Sequence, residues 1–329
     1  MNRILFPAAV CSSLLALTAC GGGTGGGTGG DSFSMATKAD ALRELGVASA
    51  MLSELPDPLD TGATAEAKRI GDLPEFGRAE GLCSMSGRSD LSSGNRQWNF
   101  SLLGLGNVAV SFDREENNAC LSTATAPSPR TATLRFNGTM ETGGATLNDG
   151  SQVAYLIDQG ANGYAATYTQ LLGAQTVDTQ IGARLGTIEK RLAVDGGSDL
   201  RVNYGYSYDR ADLTSGREVR SYAVVQIGKA GAPFRETRNG QQRSFNGVYD
   251  YATSECGGGA VTVSTEETLV LGTGGSANYP VDGKLRLAVG QQYAVFDFNG
   301  DGGATLNLNG VTQTLTATEV RAVLDQSPC

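Results

Sequence analysis

The stretch Leu200-Arg-Val202-Asn-Tyr204-Gly-Tyr206-Ser-Tyr208 decides the fold. Val202, Tyr204, Tyr206 and Tyr208 occupy every second position, so in an extended chain they share one face. The turn dipeptide Asp195-Gly196 stands just before the stretch, and a second strand pattern, Glu218–Ile227, follows it. Outward in both directions the same grammar repeats. Upstream lie Gln97–Leu103, Val108–Asp113, Thr131–Phe136, Val153–Ile157, Tyr164–Leu171 and Thr187–Val194. Downstream lie Ser244–Tyr251, Ala260–Val263, Thr268–Leu271, Lys284–Val289, Tyr293–Phe298 and Thr312–Thr316. Asn137-Gly138, Asp149-Gly150, Asn239-Gly240, Asn246-Gly247, Asp282-Gly283 and Asn309-Gly310 read as the tight turns between them, because they supply the positive φ that hairpins require. The expectation is a mainly β fold, an antiparallel hairpin-rich barrel or sandwich.

One helix precedes the strands. Between Ser34 and Leu55, Leu42, Leu45, Ala48, Leu52 and Leu55 recur at three- and four-residue steps. Thr37 with Asp40 forms a capping signal, and Pro56 ends the run. Pro56 to Pro74 reads as linker with a short helix near Ala63–Ile70. An internal echo also appears. Phe136-Asn-Gly138 then Gly143-Gly-Ala-Thr-Leu-Asn148 recurs as Phe298-Asn-Gly300 then Gly302-Gly303-Ala-Thr-Leu-Asn307, which reads as a duplicated hairpin and so a duplicated module. The organisation expected is 1–19 signal peptide, 20–33 lipidated cysteine and tether, 34–75 helix and linker, 76–160 first β module, 161–242 central hairpins, and 243–329 second β module.

The first residues carry an address. Arg3 precedes an apolar run, Ile4 to Leu17, too short to span a bilayer, ending in Leu17-Thr18-Ala19-Cys20. This resembles the lipobox of bacterial lipoproteins. The resemblance implies cleavage before Cys20, acyl chains on that residue, and a cell-envelope protein anchored to a membrane through them. Gly21, standing where a retention signal would carry Asp, implies the outer membrane, periplasmic or surface-facing. Gly21–Gly30 then reads GGGTGGGTGG, a flexible tether. Of six cysteines one leaves with the signal and Cys20 carries lipid, so Cys83, Cys120, Cys256 and Cys329 remain for two disulfides. Three connectivities are open, the most local being Cys83–Cys120 with Cys256–Cys329. Glycine-rich tether and hairpin barrel together are similar in plan to transferrin-binding-protein-like surface lipoproteins, a resemblance of architecture alone.

Composition bounds the chemistry. Glycine numbers 46 of 329 residues and histidine none. Without histidine, every Ser-His-Asp or Cys-His mechanism and every His-ligated metal is excluded. The net charge of −9 argues against a nucleic-acid partner. No nucleophile motif and no phosphate loop occurs, and Gly104-Leu-Gly106-Asn-Val-Ala109 runs into a strand, so it reads as a turn. The expectation is therefore no enzyme and no cofactor, with a carboxylate-dependent glycan hydrolase as the catalytic alternative and a structural envelope lipoprotein as a third reading. Asp113, Glu115, Glu116, Asp209 and Asp212 are the acids such a hydrolase would draw on. Asp297, Asn299 and Asp301, followed by Gly302, resemble the start of a calcium loop, although Leu308 stands where such loops place a bidentate acid. Tyr204, Tyr206, Tyr208 and Tyr222 form the candidate ligand-binding face, extended by Tyr249 and Tyr251; such a row packs a core or lines a site for flat ligands. Arg217, Arg220, Lys229, Arg235, Arg238 and Arg243 make a locally basic stretch that reads as a solvated edge. The leading expectation is a lipid-anchored β protein that binds a protein, a glycan or a small ligand.

Overall fold

In a computed structural model of the chain, the opening stretch forms the middle of a strand running from Ser198 to Asp212. The structure describes residues 33–53, 57–59, 83–124, 126, 128–161, 163–213, 219–254, 256–273 and 279–325. Among them the elements run α1 (Lys38–Ser53), β1 (Ser86–Phe100), β2 (Gly106–Ala124), β3 (Thr131–Thr146), β4 (Gln152–Gln159), β5 (Tyr164–Leu172), β6 (Gln175–Leu192), β7 (Ser198–Asp212) and β8 (Val219–Ile227). They continue with β9 (Phe234–Asn239), β10 (Gln242–Thr253), β11 (Gly257–Leu271), β12 (Pro280–Val289), β13 (Gln292–Phe298), β14 (Ala304–Leu308), β15 (Val311–Leu315) and α2 (Ala317–Asp325).

The strands form one 15-stranded sheet, ordered β1-β2-β3-β4-β6-β7-β8-β10-β11-β12-β13-β14-β15. Every pairing between named strands is antiparallel. Two strands stand off this path, and both do so in the same way. β4 and β5 lie end to end between β3 and β6: β5 pairs with Thr131–Asn137 and β4 with Thr139–Thr146. β9 and β8 lie end to end between β7 and β10: β9 pairs with Ser198–Val202 and β8 with Tyr204–Asp212. At each seam a long strand passes from one partner to the next, and the backbones crowd. A Cβ on Gly163 would stand 2.1 Å from the Arg184 carbonyl oxygen, and one on Gly228 would stand 2.0 Å from that of Val202. Both residues also have positive φ, +72° and +68°.

These seams correct part of the turn reading. Asp149-Gly150, Asp195-Gly196, Asn239-Gly240 and Asn309-Gly310 do connect consecutive strands. Asn137-Gly138, Asn246-Gly247 and Asp282-Gly283 lie inside β3, β10 and β12, where glycine allows a bend beneath a close neighbour. The echo is corrected with them. Its second copy spans the turn between β13 and β14, as expected of a hairpin, but the first, Phe136 to Asn148, lies along β3 as far as Thr146 and ends in the turn that follows. The same short sequence bends one strand and ends another.

The sheet curls around α1. Leu156, Ile188, Val202, Tyr204, Val225, Phe234, Tyr249, Val261, Leu287, Phe296 and Leu306 come from β4 and β6 to β14, and all pack in one core with Ala41, Leu45, Val47, Ala48 and Met51 of the helix. Burial of each large aliphatic side chain contributes roughly 1.5–3 kcal/mol. The Thr37 amide donates to Asp40 Oδ2 at 2.9 Å and the Asp40 amide to Thr37 Oγ1 at 3.2 Å, the reciprocal cap read from the sequence. α2 repeats this device: the Thr316 amide donates to Glu319 Oε2 and the Glu319 amide to Thr316 Oγ1. Lys38 Nζ stands 2.6 Å from Glu319 Oε1 and joins the two caps. Two smaller clusters complete the interior. Cys120, Phe136, Met140, Tyr164 and Ala166 form one; Phe100, Val110, Val153 and Tyr155 form the other.

Candidate ligand-binding face

Strand pairing places each candidate side chain. Tyr204, Tyr206 and Tyr208 lie opposite Ile227, Val225 and Ala223, on the face that meets the core. Tyr204 is buried, while Tyr206 and Tyr208 are half-buried. Tyr249 and Tyr251 lie on that face too, opposite Ile227 and Val225. Tyr222 does not. It pairs with Asp209, one step out of phase, and stands 44% exposed on the opposite face. The tyrosine face therefore loses Tyr222, because the register across the β7–β8 connection sets its phase, and β8's own alternation leaves that open.

Beneath the tyrosines the inner face carries charge. Arg184 Nε stands 3.2 Å from Asp158 Oδ2, and both side chains are buried. The Tyr204 hydroxyl donates to the same carboxylate oxygen. Tyr164 donates to Glu115 Oε1 at 3.1 Å, and Asn117 Nδ2 donates to that oxygen at 2.5 Å. The Arg184 guanidinium lies 5.1 Å over the Tyr164 ring and donates to Met140 Sδ at 3.4 Å. Burial pushes the Asp158 carboxyl up from its usual range, against the pull of Arg184 and the Tyr204 hydrogen bond; the charge of Glu115 adds to the rise. Burial likewise pushes the Tyr164 hydroxyl up. Six strands, β2 to β7, supply this network, and no single segment of the sequence announces it. The available signal was Glu115-Glu-Asn117, where polar side chains fall at alternate positions of a strand.

The face opens toward β1–β4. Two residues along β2 from buried Glu115, Asp113 is exposed. Here a groove of about 650 Å³ runs over the paired positions Ser93↔Asp113↔Thr142 and Asn95↔Ser111↔Gly144. Thr146 and Gln152 line its end, and Pro58 and Leu59 flank it from the segment after α1. That segment is held by Asp57, whose carboxylate lies 2.5 Å from Lys190 Nζ. On the opposite face of the same strands the chemistry is closed. Glu141 accepts from Tyr155 at 2.5 Å and pairs with Arg96 at 2.5 Å, and Trp98 stacks on Tyr155 with ring centroids 3.9 Å apart.

No family model, no curated protein and no solved structure matches this chain.

The remaining candidates fall in separate places. Cys83 and Cys120 form a disulfide, bridging 37 residues beside the start of β1. Cys256 is also disulfide-bonded. Cys20 and Cys329 lie outside the described residues, as do the signal, the tether and the expected helix at 63–70. Of the calcium-loop residues, Asp297 sits 3.5 Å from Lys284 Nζ on β13, while Asp301 Oδ1 accepts the Gly303 amide at 2.7 Å. The Gly302 amide donates to the Asn299 carbonyl. This is a hairpin turn, and no group of three or more Cys, Asp or Glu suited to a metal occurs among the described residues. The acids considered for catalysis are dispersed: Glu116 pairs with Arg114, Asp209 with Arg220 and Asp212 with Arg210. The basic stretch is largely matched, Arg235 by Asp199 and Arg243 by Glu236. Gly104 and Gly106 sit at the β1–β2 connection with φ of +71° and +72°, so that motif is a turn.

Proposed function

We propose that this chain is a lipid-anchored cell-envelope binding protein, held through Cys20 and taking its ligand in the groove over β1–β4. The groove carries the reading. It is the open end of an inner face that is elsewhere packed, and its size falls within the range of small-ligand sites. Its floor comes from β2, β3 and β4, each fixed on both sides by hydrogen-bonded neighbours, which holds their recognising groups in place without a ligand. The Cys83–Cys120 bridge ties the start of β1 to the end of β2, farther along the same strand pair. A tether of glycine and threonine after Cys20 gives such a domain reach from the membrane.

Two measurements test the reading. Cells expressing the chain and fed labelled palmitate incorporate it, and Cys20→Ser abolishes incorporation; label in the variant overturns the anchor. For binding, the purified full chain in detergent is melted with and without an envelope extract of molecules below about 3 kDa. The extract raises the melting temperature of the parent and not of Ser111→Arg, whose side chain fills the groove from an exposed position. Equal shifts in both proteins, or none in either, overturn the groove as the site.

A further inference from the structure

We propose that the groove over β1–β4 binds the end of a neutral saccharide. This rests on the binding reading above and names its ligand class. The recognising groups are hydroxyls and amides: Ser93, Asn95, Ser111, Thr142, Thr146 and Gln152, each able to donate and accept. A pair of vicinal sugar hydroxyls needs such dual partners. Among the described residues, the one charged side chain lining the groove is Asp113, placed between Ser93 and Thr142 in the strand register. A carboxylate accepts from two neighbouring hydroxyls at once and strengthens both bonds.

Charge excludes the other polar ligands. Among the described residues no lysine or arginine lines the groove, so a phosphate, sulfate or carboxylate would meet Asp113 with no counter-charge from them. A cation would find one exposed carboxylate, too little to hold it against water. An extended peptide adds to a sheet only at a free edge. β2, β3 and β4 beneath the groove each have hydrogen-bonded strands on both sides, so the floor offers none, and among the described strands only the outer edge of β1, paired with β2 alone, is open there.

The floor fits a ring. Gly144 sits at its centre, opposite Ser111 on one side and Ala154 on the other. A Cβ there would lie 2.8 Å from the Val153 carbonyl oxygen and 3.4 Å from the Ala154 Cβ. Its absence leaves flat backbone on which a pyranose can lie. Half-buried Leu59 gives the same groove an apolar flank against which the C–H face of a sugar is desolvated, backed by buried Pro58 and Ala154. Polar rim, flat floor and aliphatic wall together match the amphipathic surface of a sugar.

The test uses the full chain in detergent with three trisaccharides: a neutral glucan, a neutral N-acetylglucosamine trimer, and the cationic glucosamine trimer, together with a sulfated glucan trimer as the anion. Saturation-transfer NMR and titration calorimetry read binding. At least one neutral trimer binds saturably, and Asp113→Ala and Asn95→Ala each weaken it about tenfold while leaving the melting temperature near that of the parent. Both substituted residues are exposed, so neither variant disturbs the core. Preference for a charged trimer, binding insensitive to both variants, or no binding by either neutral trimer overturns the saccharide assignment. If the envelope extract still stabilises the parent and not Ser111→Arg, the saccharide assignment alone has failed. If it does not, the binding reading has failed with it.

Discussion

The hydroxyl of Tyr251 on β10 donates to the carboxylate of Glu44 in the middle of α1, 2.8 Å from Oε1 and 3.0 Å from Oε2. Glu44 is fully buried, and the Arg43 guanidinium reaches it at 3.2 Å from a partly exposed position. Burial raises the Glu44 carboxyl above its usual range, and the bonds from Tyr251 and Arg43 offset only part of that. The stability this group contributes is complete below the ordinary carboxylate pKa and is lost as the pH climbs through the raised value. Glu44→Gln keeps an acceptor for Tyr251 and cannot ionise. Its melting temperature falls less than that of the parent between about pH 4 and neutrality. Parallel curves for the two proteins would show that Glu44 is not strained by its charge.

The Arg184–Asp158 pair answers to removal of one partner. Arg184→Met leaves a buried carboxylate facing Glu115 without its cation and lowers stability by about 3–5 kcal/mol. Adding Asp158→Asn, which still accepts from Tyr204, returns most of the loss. Urea unfolding of the two variants and the parent gives the comparison. A double variant as weak as the single would mean that Arg184 acts through packing alone.

Gly163 and Gly106 separate conformation from crowding. Both have φ of +72°, yet a Cβ on Gly163 meets the Arg184 carbonyl and one on Gly106 meets nothing within 4 Å. Each change to alanine carries the left-handed penalty of roughly 1–2 kcal/mol. Gly163→Ala adds the collision, so its unfolding midpoint falls well below that of Gly106→Ala. Equal midpoints would refute the close approach at the seam.

The disulfide is open to direct mapping. Proteolysis without reductant yields a Cys83–Cys120 peptide pair, and replacing both with serine costs about 2–4 kcal/mol, because it frees a 37-residue loop in the unfolded chain. Free thiols at both positions would rule the bridge out.

Local features were legible in the sequence wherever local physics decides them. α1 was visible because its apolar spacing and the Thr37–Asp40 cap act within one turn. Its burial was not, since no periodicity says that a helix with Glu44 at its centre will be wrapped by strands. α2 carried the same cap signal, Thr316 and Glu319, in a stretch too short to stand out. The tyrosine row on β7 was legible from alternation within one strand, whereas Tyr222 depended on register between two. Asn-Gly and Asp-Gly stated correctly that the backbone needs positive φ, and left undecided whether it turns or bends. The groove and the Arg184 network arise only when strands distant in sequence pair, so no single segment announced them.

α1 closes the fold from the wrong end of the chain. The Met35 amide donates to Gln292 Oε1 at 2.7 Å, Asn309 Nδ2 donates to the Met35 carbonyl at 2.9 Å, and Lys38 meets Glu319. Met35 and Lys38 thus take their partners from Gln292, Asn309 and Glu319, far along the chain. A chain emerging in sequence order cannot complete these contacts until Glu319 has been made. During vectorial synthesis the helix therefore waits for the β14–β15 hairpin and α2, which act as the latch on its burial.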